Sequence, residues 1–363
     1  MNSPSATDVV VVGAGVSGLS AAHALLERGH RVVVVERGQV GRESSWAGGG
    51  ILFPLLPWDY PEPVTALTQR ALARYPGWIA ALESLSGGSA EYWPCGMTLD
   101  TDAPGMALDW CAAHGIAARP VPSTGPLARL VLPSVAQARN PRLIRVLLDA
   151  VRALGAEVRE HSAVARVSLQ GNGVEIVLAN GDRLHAGQLV LATGAWACAG
   201  LPDLPGPANV RPIRGQMLLF RLPAGALDTI LYRDGLYLIP RRDGHVLAGS
   251  TLEDAGFDKA TDAATAAHLH ARAAALFPPL AGEKPIRHWA GLRPGSPGNI
   301  PLIGRHPASE RVFLNTGHYR YGLTMAPAAA ELLADLMTGQ SPALDPHPYA
   351  WAAFARRQWA DKP

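Results

Sequence analysis

Asp8-Val9-Val10-Val11-Val12-Gly13-Ala14-Gly15-Val16-Ser17-Gly18 is the stretch on which the fold turns. A short β-branched run such as Asp8 to Val12 reads as a strand buried in a parallel sheet. Apolar spacing from Leu19 to Arg28 then predicts a helix ended by Gly29, and Arg31 to Glu36 a second buried strand closing on an acid. Strand, glycine turn, helix, strand and acid occur in order within 36 residues, so the unit reads as a dinucleotide-binding βαβ start. Gly13 makes the tight turn, Gly15 lets the backbone approach a pyrophosphate, and Gly18 allows close helix–strand packing. The pyrophosphate is expected at the helix N-terminus, against Gly13, Ala14, Gly15, Val16, Ser17 and Gly18, where free N–H groups and the positive dipole end favour an anion. Glu36 is placed to accept hydrogen bonds from a ribose diol, and its charge would repel a 2′-phosphate. The unit does not separate NAD from FAD.

Downstream, Asn140-Pro141 reads as an N-cap followed by a first-turn proline, opening a helix to about Leu154 that Gly155 ends. Glu157 to Glu160, Val164 to Gln170 and Val174 to Leu178 read as strands, and Asn180-Gly181 as a type I′ hairpin before Arg183 to Ala186. Gln188 to Ala192 is another buried strand running into Thr193-Gly194-Ala195-Trp196. From Val210 to Leu252 strands and turns dominate. Asp262 to Leu276 reads as a helix, Ile286 to Leu292 as extended, Val312 to Asn315 as a strand, and Pro327 to Thr338 as a final helix. With 363 residues, 48% apolar and 17% charged, the chain has material for about two domains. The second half does not read as a self-contained unit, so the two domains are expected to interleave.

Net charge is +2, and no basic run exceeds a pair such as Arg241-Arg242, so the footprint of a nucleic-acid binder is missing. Cys95, Cys111 and Cys198 are odd in number and far apart, which indicates neither a disulfide framework nor a zinc site. No metal is expected. No apolar run reaches 18 residues and no export signal is visible, so no membrane span and a cytoplasmic location are expected. Gly 38 and Pro 31 are in excess, which calls for a local explanation.

At this point the chain resembles the FAD-dependent D-amino-acid oxidase and sarcosine oxidase superfamily, with the glycine oxidases nearest. The segments that carry the resemblance are Val10 to Gly18 with Glu36; Gly41 to Gly50; Asn140-Pro141-Arg142; Ala192 to Trp196; Arg214-Gly215-Gln216; Tyr237 to Arg241; Gly249-Ser250-Thr251; Trp289 to Gly295; and Gly317-His318-Tyr319-Arg320. They span nearly the whole chain. The resemblance implies an α/β fold in which a doubly wound, Rossmann-like FAD domain (1–75, 135–207 and 290–363) interleaves with a substrate domain on a mixed, largely antiparallel sheet (76–134 and 208–289). It also implies oxidative deamination of a small amino acid, with oxygen returning the flavin to its oxidised form, and a homo-oligomer. FAD has separate support in the small residues Ser44, Ser45, Ala47, Gly48, Gly49 and Gly50 just after the acidic strand, where backbone N–H groups could run along a flavin. No second intact GxGxxG exists, since Gly171-Asn172-Gly173 lacks the third glycine, so a nicotinamide partner is not expected. Monomeric sarcosine oxidases in the superfamily it resembles link the flavin to a C-terminal cysteine, and none follows Cys198 here, so the resemblance implies non-covalent FAD.

By this resemblance Arg293 is the carboxylate anchor, a guanidinium giving two parallel charge-assisted bonds. Tyr237 adds a second bond to the carboxylate, and Arg320 belongs to a loop closing over flavin and substrate. These three are the expected catalytic residues. Arg37, Val164, Thr193, Gly194, Trp196, His318, Tyr319, Tyr321, Gly322, Leu323 and Thr324 complete the expected cofactor contacts. No general base is required if the amine binds neutral. Tyr321 stands where glycine oxidases often have Asn, and Leu252 where one type has Met, which leaves glycine, sarcosine and small D-amino acids open as substrates. Two alternatives remain at this level: a dehydrogenase passing electrons to a quinone, and a non-catalytic flavin-binding protein.

Overall fold

A computed structural model describes residues 7–359, apart from 124, 172 and 203. The polar tail ahead of Thr7 and Asn172 of the imperfect glycine motif lie outside the described residues. The described residues form two eight-stranded sheets and one two-stranded sheet. In the first, Ser309–Thr316, Arg183–Leu191, Thr7–Val12, Val32–Val35 and Glu157–Arg159 run parallel in that order. The chain therefore winds outward from Thr7–Val12 in both directions, the α/β doubly wound pattern that the opening stretch implies.

Successive strand residues point to opposite faces, and the valine runs use both. Val9, Val11, Val32 and Val34 pack into a core with the helices Val16–Glu27, Glu62–Ser86, Asn140–Ala153 and Gly322–Thr338. Val10, Val12, Val33 and Val35 face the other way, against Val167, Val174, Ile176 and Leu178 of the hairpin strands Val164–Gln170 and Gly173–Leu178. Strands, rather than further helices, cover this second face.

The second sheet runs in the order Arg287–Gly295, Arg211–Arg221, His245–Gly249, Leu236–Pro240, Ile230–Arg233, Met97–Thr101, Ala128–Leu132, Arg119–Val121. Only the pairing of Ile230–Arg233 with Met97–Thr101 is parallel. Leu218, Phe220, Leu238 and Val246 pack on the helix Ala263–Leu276, while Met217, Ile239 and Leu247 turn to the opposite face and pack with Phe53, Met97 and Leu99.

Four expectations change. The Asn140–Ala153 helix takes Arg139 as its N-cap, and the Asn140 amide is spent on the Ser45 carbonyl at 2.8 Å. At Asn180-Gly181 only Gly181 has positive φ, 92°, and its N–H reaches the Leu178 carbonyl at 3.0 Å; type I′ needs positive φ at both central residues, so the turn is type I with a glycine bulge. The last long helix begins at Gly322, not Pro327. Pro327 offers no N–H to the Leu323 carbonyl one turn back, and the Tyr75 hydroxyl donates to that carbonyl instead. A short helix, Trp351–Arg356, follows. Finally, the boundaries expected after residues 75 and 289 fall inside the continuous helix Glu62–Ser86 and strand Arg287–Gly295.

Candidate active site

Loops from both sheets enclose one cavity of about 680 Å³. At one end the Val16–Glu27 helix opens into it, with Gly13, Gly15, Val16 and Ser17 on the wall. Gly13 has φ 101°, and a Cβ there would lie 2.4 Å from the Ala192 carbonyl oxygen. Gly18 faces away from the cavity: a Cβ on it would lie 1.8 Å from the Gly13 carbonyl oxygen, so its absence lets helix and turn touch. Ser45 closes the helix end from a separate segment, its hydroxyl accepting the Val16 N–H at 2.9 Å. The Glu36 carboxylate lines the wall and accepts the N–H of Ala14 and of Gly38, both at 2.9 Å. Arg37, Val164, Thr193, Gly194 and Trp196 share this end, and the Arg37 guanidinium lies 3.8 Å from the centre of the Trp196 ring.

Ser44, Ser45, Gly48, Gly49 and Gly50 line the middle, but not as an open ribbon of N–H groups. Ser44–Ala47 is a helical turn that spends the N–H groups of Trp46 and Ala47 on the Glu43 carbonyl and that of Gly48 on the Ser44 carbonyl. Ala47 is buried off the cavity and its carbonyl accepts the Trp289 indole N–H at 3.0 Å. Beneath Gly49 lies a residue that the motif reading passed over. Arg241 is buried and donates to the carbonyls of Gly49, at 2.8 Å, and Ala138, and to the Gln137 amide oxygen. Burial lowers its pKa to about 10, still charged at neutral pH. In the sequence it closes the Tyr237 to Arg241 segment, where it had no assigned role.

At the far end stand Tyr237, Arg293, His318, Tyr319, Arg320, Tyr321, Gly322 and Leu323. The Arg293 guanidinium donates to the Ser250 hydroxyl at 2.6 Å and the Thr251 carbonyl at 3.3 Å, and among the described residues no carboxylate pairs with it. It lies flat over Gly215, where a Cβ would stand 2.2 to 2.6 Å from its atoms. The loop that positions it is tied down in turn. The Thr251 hydroxyl accepts the Gln216 N–H at 2.9 Å and donates to Glu253, which also takes the Arg214 guanidinium at 2.5 Å. Burial raises the Glu253 pKa, but the bonds from Thr251, Arg214 and Gln216 outweigh it and hold the carboxyl below its usual range. Gly215, Thr251 and Glu253 belong to the site but had no assigned role in the sequence.

Tyr237 sits on the Leu236–Pro240 strand, its hydroxyl 4.0 Å from the Met217 sulfur. The Tyr321 hydroxyl donates to the Leu55 carbonyl at 3.2 Å, and its ring meets Tyr60 edge-on at 5.1 Å. Arg320 is exposed, with its guanidinium 5.3 Å from the Tyr319 ring centre. His318 is buried and burial lowers its pKa to about 4, so its ring is neutral. Its Nδ1 lies 3.4 Å from the Ser17 hydroxyl and its Nε2 has no partner among the described residues. Thr324 is set back, donating to the Ile51 carbonyl at 3.2 Å. Of the expected site residues, Ala14, Gly18, Ala47 and Thr324 are thus off the cavity wall, because each is committed to packing or to a backbone partner.

A dinucleotide with an extended ring system fits this arrangement: a helix N-terminus and a ribose-facing carboxylate at one end, small residues along the middle, and the unpartnered Nε2 of buried His318 toward the ring end. The FAD dependent oxidoreductase family matches residues 8–336. The chain belongs to that family. Relatives of this FAD dependent oxidoreductase include a glycine oxidase of Pseudomonas aeruginosa, 43% identical over 94% of this chain and 98% of its own length. A bifunctional protein ThiO/ThiG of Trichormus variabilis is 33% identical over 92% of this chain but only 53% of its own length. The crystal structure of glycine oxidase from Geobacillus kaustophilus superposes with TM-score 0.88 at 25% identity, covering 97% of this chain and 99% of that one. The protein is therefore an FAD-dependent enzyme of amine oxidation. Among the described residues no helix is long and apolar enough to cross a membrane.

Proposed function

We propose that this oxidoreductase deaminates glycine and related small amines, sarcosine and small D-amino acids, using oxygen as acceptor. The observation that carries this reading is the Arg293 guanidinium, held by Ser250 and Thr251 in the cavity without a carboxylate partner among the described residues. A substrate carboxylate supplies that partner through two charge-assisted bonds, and the Tyr237 hydroxyl donates a further one. FAD, held by the Gly13–Ser17 turn, Glu36 and the Ser44–Gly50 loop, would supply the hydride acceptor. Arg293 and Tyr237 fix where Cα lies, and a fixed near-attack position is a large part of the rate gain. Arg320 and its neighbours Tyr60, Tyr319 and Tyr321 close the outer wall and limit water. Neutral His318 stays away from proton transfer, so the amine lone pair assists C–H cleavage. The imino acid product is hydrolysed by water to an oxo acid and ammonia, and the two electrons leave to oxygen as hydrogen peroxide. None of the three cysteines lines the cavity, which supports non-covalent FAD.

A peroxide assay across glycine, sarcosine, D-alanine and D-proline tests the reading. Peroxide with glycine is the expected result. Dye reduction without peroxide would replace oxygen by a quinone-type acceptor, and a flavin that no amine bleaches under anaerobic conditions would sink the enzymatic reading.

A further inference from the structure

The segment from Glu253 to Ala260 leaves the second sheet, crosses to the dinucleotide end of the cavity, and contains no helix or strand beyond a single bridge of Glu253 to Arg214. It is pinned at several points. Arg214 holds it at both Glu253, 2.5 Å, and Asp258, 2.7 Å. Lys259 reaches across to Glu43 at 3.1 Å. Phe257, 45% exposed, stacks on Trp196 with ring centres 5.4 Å apart and planes 26° from parallel. Trp196 in turn carries the Arg37 guanidinium. Trp196, Arg37 and Glu43 line the cavity, whereas Phe257, Asp258 and Lys259 do not. A half-exposed phenylalanine gains nothing from water, and its one stacking partner is a wall of the cofactor cleft.

We propose that residues 253–260 form a strap that locks FAD into its cleft, with Phe257 latched on Trp196 and Lys259 tethered to Glu43. The strap spans the two sheets on the outside of the walls that face the ribose and pyrophosphate. For the cofactor to leave, Trp196 and Arg37 must move, and the strap resists that movement. Glu253 anchors one end through Thr251, but Phe257 and Lys259 make their contacts away from Arg293 and Tyr237, so these two residues govern cofactor retention rather than turnover.

The rate of FAD release, read as recovery of free-flavin fluorescence after dilution, and the Kd from titrating apoprotein provide the test. Loss of one aromatic stack in Phe257→Ala is expected to speed release about three- to tenfold and raise Kd in proportion. Phe257→Tyr should release at the wild-type rate. Lys259→Glu should give a smaller, about twofold, acceleration that disappears at high salt, since that pair is exposed. kcat on glycine at saturating FAD should be unchanged in all three. Release from Phe257→Ala within error of wild type, or Phe257→Tyr releasing as fast as Phe257→Ala, overturns the strap. If Phe257→Ala is not recovered folded, unchanged release from Lys259→Glu at low salt overturns it alone.

Discussion

At the scale of single residues, the site depends on one guanidinium and on what is missing beneath it. Arg293 is held by two oxygen acceptors and lies over Gly215. Arg293→Lys keeps the charge but loses the planar fork. Its kcat/KM for glycine is expected to fall about a hundredfold, with FAD content unchanged, as measured by steady-state kinetics on flavin-loaded protein. Gly215→Ala is the more discriminating change. Its Cβ would displace a flexible side-chain end rather than backbone, so the fold should survive while the anchor moves. A shift of about 1 Å is enough to cost about two orders of magnitude in kcat/KM, and wild-type kinetics in this variant would remove Gly215 from the site. A lone glycine in a strand announces a close approach, but the sequence could not say that an arginine 78 residues later makes it.

At the scale of elements, the Gly322–Thr338 helix shows how a local rule is overruled by packing. Pro327 reads locally as a helix start, and the orphaned Leu323 carbonyl would favour that reading, but the Tyr75 hydroxyl satisfies it from the Glu62–Ser86 helix. Tyr75→Phe should cost about 1 to 3 kcal/mol, the desolvation of one unpaired carbonyl, read as a lower urea midpoint of the protein. A wild-type midpoint would show that water replaces the hydroxyl. The Gly48–Gly50 loop depends similarly on Arg241. Arg241→Met is expected to leave the buried acceptors of Gln137 and Ala138 and the half-buried Gly49 carbonyl without a donor, lower the midpoint and raise the Kd for FAD. Retained FAD affinity in a destabilised variant would confine Arg241 to stability.

At the scale of the whole molecule, His318 couples stability to pH. Burial holds its folded pKa at about 4 against 6.5 for a free imidazole, so below pH 6.5 the unfolded chain takes up a proton that the folded chain refuses. Its contribution is complete above about pH 6.5 and is lost as pH falls toward 4. Urea midpoints of apoprotein between pH 8 and pH 4.5 should therefore drop more steeply for wild type than for His318→Asn. Parallel curves would mean that His318 does not carry the effect.

The first βαβ unit was legible because all its signals are local: β-branched runs, glycines at fixed offsets and a terminal acid specify strand, turn and helix within 36 residues. The interleaving of two domains was also legible, from motifs scattered along the chain, and most of the expected site residues line the cavity. The long helix Glu62–Ser86 has no comparable signature, since its mean hydropathy is modest and Pro76 interrupts it; packing against the helices Asn140–Ala153 and Gly322–Thr338 fixes it. The sequence by itself thus determined the dinucleotide end, the charge of the anchor and the strands of the first βαβ unit, all set by nearest neighbours. Tertiary structure alone decided that Ser45 caps a helix from another segment, that Gly215 floors Arg293, and that Arg241 and the 253–260 strap brace the cleft. Those contacts join residues far apart in the chain, and their energy comes from desolvated hydrogen bonds and close packing that exist only once the two sheets meet.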